Sequence, residues 1–462
     1  MTDPGTEATS IGSEPSSQKQ TGSEPLPWPA PREAWYVVVV LMVAYLFSYV
    51  DRQILSMLVG PIKADLGLSD TEISLLHGLA FAICYTLLGV WPIGRWADTG
   101  NRRNIIAGGV FLWSLMTALC GRAFNYTQLF VARIGVGIGE AALTPTAYSM
   151  LADYFPPERR GRALGLFAMG VYFGIGAAIM ITGLVVQLIS TMPPIDLPLI
   201  GEVRAWQVPF LLLGPPGILV ALWVMTLREP LRRMTAQEKD LDQASFGQVL
   251  SQMRLNGGFY LNLTLGISLL TLLFNGLAFW VPAHFMRVHA FSAAEVAFSY
   301  GPIMLVAGAL GILSGGILAD RWRAQGYRDA ELRVGLFSAL ALWPLAILVF
   351  QADNPQWALA ALTPAIFCSS FPFGAASAAL QLVTPNRLRA RTSALYLLVI
   401  NLTGIGFGAT FASMISDYIL RDENRIGDGV SAVALVAAPL AAWLLWRAMP
   451  HYRQMQAHTP TP

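Results

Sequence analysis

Four ionisable residues lie inside stretches that are otherwise apolar: Asp51 and Arg52 in one, Arg133 and Glu140 in another. An ionised side chain in such surroundings costs several kcal/mol or more unless it is paired, so by default it marks a substrate path, a proton relay or a counter-ion. Arg133 and Glu140 are seven residues apart and share one face of a helix. The first stretch ends near Gly60, which puts Asp51 about 14 Å from its outer end. The second enters near Tyr126, which puts Arg133 roughly 10 Å and Glu140 roughly 20 Å deep. The depths overlap, so two carboxylates and two guanidinium groups are within reach of one cluster. Desolvation and a neighbouring guanidinium act on such a carboxylate in opposite senses, and a small rearrangement is enough to load or release a proton. The arginine fork binds two oxygens of an anion at once. Glu140 or Asp51 is therefore expected to carry the proton while Arg52 and Arg133 alternate between carboxylate and substrate anion. The alternative from the same residues is a salt-bridge network that only holds the structure together. Gly135, Gly137 and Gly139 ahead of Glu140 favour the first reading, because small residues admit a second helix or a ligand.

The elements that hold these residues follow from composition. Of 462 residues, 55% are hydrophobic and 13% charged. Soluble domains carry about 25% charged residues, so a soluble enzyme is excluded and the bilayer is the solvent. The net charge of +2 argues against a nucleic-acid partner, which needs a basic patch. Cys84, Cys120 and Cys368 sit in apolar runs, where packing is their expected role. From Ala34 onward the chain divides into twelve apolar segments, each long enough to cross about 30 Å of hydrocarbon as a helix. They cover residues 34–60, 71–96, 104–122, 126–151, 161–190, 206–227, 257–286, 292–319, 331–351, 355–382, 388–419 and 429–449. The strict alternation of barrel strands is absent. Arginines gather after the even-numbered spans, at Arg102 and Arg103, at Arg159 to Arg162, from Arg228 to Arg254, at Arg321 to Arg333 and at Arg387 to Arg391. Those loops and both termini are thus expected in the cytoplasm, and in a bacterium the membrane is the plasma (inner) membrane. The expected organisation is an all-α membrane protein with a disordered cytoplasmic tail over 1–33 and a six-helix bundle over 34–227. A cytoplasmic linker over 228–256, a second bundle over 257–449 and a cytoplasmic tail over 450–462 complete it. The first tail lacks the charged start and apolar core of a signal peptide.

The two bundles are copies. Gly94-Arg95-Trp96-Ala97-Asp98 recurs as Gly316-Ile317-Leu318-Ala319-Asp320 at an offset of 222 residues. Pro157-Glu158-Arg159 with Gly174-Ile175-Gly176 recurs as Pro385-Asn386-Arg387 with Gly404-Ile405-Gly406, at offsets of 228 and 230. Parallel halves of this kind are a transporter architecture with a midplane substrate site between them. The segment from Gly94 to Asn104 resembles the signature loop of the major facilitator superfamily, with Thr99 and Asn101 departing from the usual pattern. The resemblance implies a cytoplasmic gate. Asp98 would accept from the N-terminal end of span eleven and pair with Arg102, favouring the outward-open state, and Asp320 would be its counterpart in the second half. The alternative is that these are ordinary positive-inside loop charges. Ser48-Tyr49-Val50-Asp51-Arg52, together with Gly137-Ile138-Gly139-Glu140-Ala141, Pro145 and Ala152-Asp153-Tyr154-Phe155, resembles the spinster branch. That likeness implies export of lysophospholipids or sphingosine phosphate, with proton coupling.

Spans seven, ten and eleven carry no charged residue at midplane depth, so the cavity is expected to be charged on one wall and apolar or mildly polar on the other. Its further candidate lining is His77, Tyr85, Tyr172, Asn275 and Asn401, with Phe274, Phe279, Trp280, Phe371, Phe373 and Phe407 as the available aromatics. The expected function is secondary transport of an amphiphilic, lipid-like substrate by alternating access. Membrane lipids, substrate and protons are the partners, the chain acts as a monomer, and no cofactor is called for. The alternative is a proton-coupled carrier of small organic anions. A non-transporting sensor and a membrane-embedded enzyme stand behind both; the scattered histidines and the lack of a Walker sequence oppose an enzyme and ATP drive.

Overall fold

The computed structural model describes residues 28–88, 92–189, 195–197, 201–232 and 246–458. Helix α1 (Pro31–Leu66) is span one, and Pro31 at its first turn fits a position where a missing N–H costs nothing. Span two is α2 (Asp70–His77), α3 (Leu79–Leu88) and α4 (Gly94–Thr99). Then come α5 (Arg102–Cys120), α6 (Tyr126–Glu140), α7 (Leu143–Tyr154), α8 (Pro157–Ile189), a short hairpin of β1 (Ile195–Leu197) and β2 (Gly201–Val203), and α9 (Val208–Val224). The second half opens with α10 (Phe246–Leu255), a helix within the expected linker, and α11 (Gly257–Val288). It continues through α12 (Ala293–Ala324), α13 (Ala330–Gln351), α14 (Pro355–Ser370), α15 (Pro372–Val383), α16 (Asn386–Phe407), α17 (Thr410–Met414) and α18 (Ile426–His458).

Among the described residues, eleven helices are long and apolar enough to cross a membrane. The twelfth span is α6 and α7 end to end. It escapes that count because Arg133 and Glu140 lower its hydropathy and because it breaks at Ala141 and Ala142. Pro145 explains the break: it has no N–H for the Ala141 carbonyl, and its ring crowds that carbonyl. Span ten shows the same device. Pro372 removes the N–H that would bond the Cys368 carbonyl one turn back, and the Phe371 N–H at 3.2 Å and Ser338 Oγ at 2.8 Å donate to that carbonyl. The helices begin and end a few residues away from the hydropathy limits, with α1 starting at Pro31 and α18 running on to His458.

In the first half α1 packs on α8, and α5 on α6 and α9; in the second, α11 packs on α16 and α18, and α12 on α14. The halves meet where α8 lies on α12, α3 on α16 and α1 on α11. The repeat extends to the caps. Ser69 with Glu72 starts α2 by a reciprocal capping box, and Ser292 with Glu295 starts α12 in the same way. With an even number of spans, Pro31 and His458 lie on one face, here called the terminal face; the opposite one is the far face.

Candidate functional site

Successive residues of a helix point about 100° apart, so Asp51 and Arg52 face different neighbours. Arg52 turns to α6, where its Nε donates to Glu140 Oε2 at 2.6 Å. Ser48, one turn earlier on the same face, donates to that oxygen at 2.5 Å. The Arg52 guanidinium also lies over three rings, 4.7 Å from Tyr49, 4.5 Å from Phe81 and 4.5 Å from Tyr85, an arrangement that holds a cation by its attraction to the π faces. Asp51 turns toward α5 and α6. Thr117 Oγ1 donates to it, and Arg133 Nη1 stands 3.4 Å from its carboxylate and 3.3 Å from its main-chain oxygen. All four charges are buried. They form two ion pairs side by side, Arg52 with Glu140 and Asp51 with Arg133. Neither pair is saturated: Glu140 Oε1 and Arg133 Nε and Nη2 are buried without a hydrogen-bond partner among the described residues.

A cavity of about 450 Å³ lies between the halves. Arg52, Gln53, His77, Tyr45, Tyr49, Tyr148 and Tyr172 contribute to its first wall; Thr271, Phe274, Asn275, Phe373, Ser377, Tyr396 and Asn401 contribute to the second. The second wall carries no Asp, Glu, Lys or Arg among the lining residues. Of the five further candidates, His77, Tyr172, Asn275 and Asn401 line the cavity, whereas Tyr85 stands behind Arg52 and stacks on Phe81. Of the two arginines, Arg52 reaches the cavity; Arg133 is wholly buried behind it with Asp51, and neither of these lines it.

The far face is closed by polar contacts between the halves. Arg287 binds both oxygens of Asp70 at 2.6 and 2.8 Å. Lys63 pairs with Asp70 and with Glu423, Thr71 donates twice to Asp417 at 2.7 Å, and Ser74 meets Thr410 and Ser413. Gly78 brings the two backbones together: a Cβ there would lie 2.5 Å from the Gly406 carbonyl oxygen. These residues were hidden in the sequence among ordinary loop charges and hydroxyls, with no spacing to single them out. At the terminal face Arg102 donates to Asp153 Oδ2 at 2.5 Å, to the Ser149 carbonyl and Oγ at 3.1 Å, to Glu229 Oε1 at 2.7 Å and to the Pro230 carbonyl at 3.2 Å. Ser149 and Asp153 belong to its own half, and Glu229 and Pro230 to the segment just past it; none lies in the second half. The Asp98 side chain lies outside the described residues, and Asp320 is exposed at the terminal end of α12.

Residues 41–409 match the model of the Major Facilitator Superfamily. The chain belongs to that superfamily. It is 29% identical over 426 residues to an MFS-type efflux pump of Mycolicibacterium smegmatis, covering 92% of this chain and 94% of that protein. It is 28% identical over 354 residues to a probable L-galactonate transporter of Escherichia coli, covering 72% of each. The crystal structure of a bacterial homolog of the human lysosomal transporter spinster, inward-facing and unoccupied, superposes with a TM-score of 0.77 at 26% identity, covering 94% of this chain and 100% of that one. The superfamily chain is thus a spinster-like, multi-pass integral membrane transporter.

Proposed function

We propose that this superfamily transporter moves an amphiphile with an anionic or zwitterionic head by alternating access, with a proton carried on Glu140 or Asp51. The observation behind this reading is the asymmetry of the cavity. Arg52 offers an anion its fork on one wall, Glu140 competes for that fork, and the opposite wall is aromatic and aliphatic with a few neutral polar groups. An anionic head that takes Arg52 releases Glu140, which is then free to take a proton, so binding and protonation favour one another. Arg133 serves this cycle from behind, fixing Asp51 beside the site. The Asp98 and Arg102 loop with Asp320 is assigned to gating at the terminal face, and both termini to the cytoplasm. The likeness to the probable L-galactonate transporter favours a second reading, a proton-coupled carrier of small organic anions using the same Arg52. Purified protein in liposomes under an imposed pH gradient, offered lysophospholipids and short organic acids in parallel, separates the two. Gradient-dependent flux of lysophospholipid is expected; flux of short acids alone removes the lipid reading.

A further inference from the structure

The far end of the cavity is roofed by one hydrogen bond whose acceptor exists because of a proline. In α11 the Ala278 carbonyl should accept from the N–H of residue 282, but that residue is Pro282, inside the helix, so the carbonyl lacks that donor. A buried carbonyl left unpaired costs free energy comparable to a lost hydrogen bond. The donor comes from the other half of the molecule: Gln53 Nε2 reaches the Ala278 oxygen at 2.6 Å. Ser56 holds the amide in place, accepting from Nε2 at 3.1 Å and donating to the Gln53 carbonyl at 2.8 Å. Tyr300 of α12 adds a longer contact to the same carbonyl at 3.5 Å. Gln53 adjoins Arg52 in sequence, and both line the cavity. Beside them His77, which also lines the cavity, stacks on Phe279 with ring centroids 4.2 Å apart. The segment of α1 that carries the cavity's charge thereby meets two consecutive residues of the half whose cavity wall is uncharged.

We propose that Gln53 is a positioning residue of the transport cycle, one that reports the state of the Arg52 and Glu140 pair to the far-face closure through the carbonyl Pro282 sets free. When Arg52 leaves Glu140 for a ligand, α1 shifts at Gln53, and the bond to Ala278 is the first tie between the halves to feel it. The inference rests on alternating access but not on the identity of the substrate. Its test therefore needs none: spin labels at the exposed far-face positions Phe124 and Tyr418, in a variant with Cys84, Cys120 and Cys368 replaced by alanine, with distances measured on the full chain in nanodiscs. Gln53→Leu removes the donor and is expected to move the population toward far-face separation by about tenfold; Pro282→Ala returns a helical N–H to the carbonyl, so that its oxygen no longer depends on Gln53, and is expected to move it the same way by less. Because both act on one bond, and the restored N–H satisfies the carbonyl that Gln53→Leu leaves unpaired, the double variant is expected to move no further than the larger single shift. Unchanged distances in Gln53→Leu, or shifts that multiply in the double variant, overturn the proposal. Should Gln53→Leu fail to assemble, Gln53→Met, of equal length and without a donor, carries the same test. A merely structural role would lower yield and leave the distances alone, and that result also overturns it.

Discussion

Arg102 and Asp329 stand at corresponding places, where the third span of each half leaves the terminal face, yet their charges are opposite. Arg102 reaches Glu229 just past α9, and Asp329 reaches Arg453 near the end of α18. The contact is repeated with its sign reversed. What the fold preserves is a tie from the start of the third span to the segment beyond the sixth; which partner is the cation is free. At mid-depth there is no such equivalence. The first half holds two complete ion pairs there, while the cavity wall of the second half offers only neutral side chains. A charge that can be inverted serves structure, and charges that occur in one copy alone are where a duplicated scaffold has been specialised.

The largest test of that contrast is Arg133→Leu. Removing one member of a buried pair leaves Asp51 with Thr117 and no counter-ion, and the expected loss is about 3–5 kcal/mol. Thermal unfolding of the purified protein reads it; a loss below about 1 kcal/mol, typical of exposed pairs, would put the buried charges of the first half on a par with the rim charges of the second. Next comes Glu140→Gln, which keeps the shape and abolishes the proton site. Uptake driven by a pH gradient is expected to fall about tenfold or more with substrate binding retained, and unchanged driven uptake in both this variant and Asp51→Asn sinks the proton assignment. The smallest effect belongs to Asp329→Asn, at about 1 kcal/mol, because its partners Arg333 and Arg453 are substantially exposed. Burial alone would raise the Asp329 carboxyl, but the bonds from Arg333 and Arg453 outweigh it and hold the group below its ordinary value of 3.8. Its contribution is therefore complete above that value and is lost as pH falls through the lowered one. Melting curves of wild type and Asp329→Asn are expected to differ by a constant amount near neutrality and to converge under strong acid; a difference that instead disappears on mild acidification would count against the tie.

The spans, the repeat and the four buried charges were legible because each leaves a local mark: a run of apolar residues, a recurring motif, an ionisable group where none is tolerated. Which arginine meets the cavity was not. Spacing shows that Arg133 and Glu140 share a helix face, but whether that face looks at the cavity or at α5 depends on how α6 is rolled against its neighbours. The Gln53 contact was further from view. Its acceptor is a main-chain oxygen exposed by a proline four residues on, and its donor lies in the other half, so no periodicity links them. The carboxylates that pair with Arg102, Asp153 and Glu229, were obscured for a related reason: three elements converge on it, and only one belongs to the signature loop.

The broken fourth span has a consequence for how the chain is made. At the translocon each charged residue near the middle of a segment opposes insertion by about 2.5–3.5 kcal/mol, and α6 brings Arg133 and Glu140 together with three glycines. Such a segment is poorly retained by lipid on its own. It becomes compatible with the bilayer once Asp51 and Arg52 stand beside it, and these sit in α1, synthesised first and already in place. Biogenesis of the first half is thus ordered by electrostatics, with the opening helix acting as a template for a later one, and a fault in α1 is expected to surface as failed insertion of α6 before it is ever felt as failed transport.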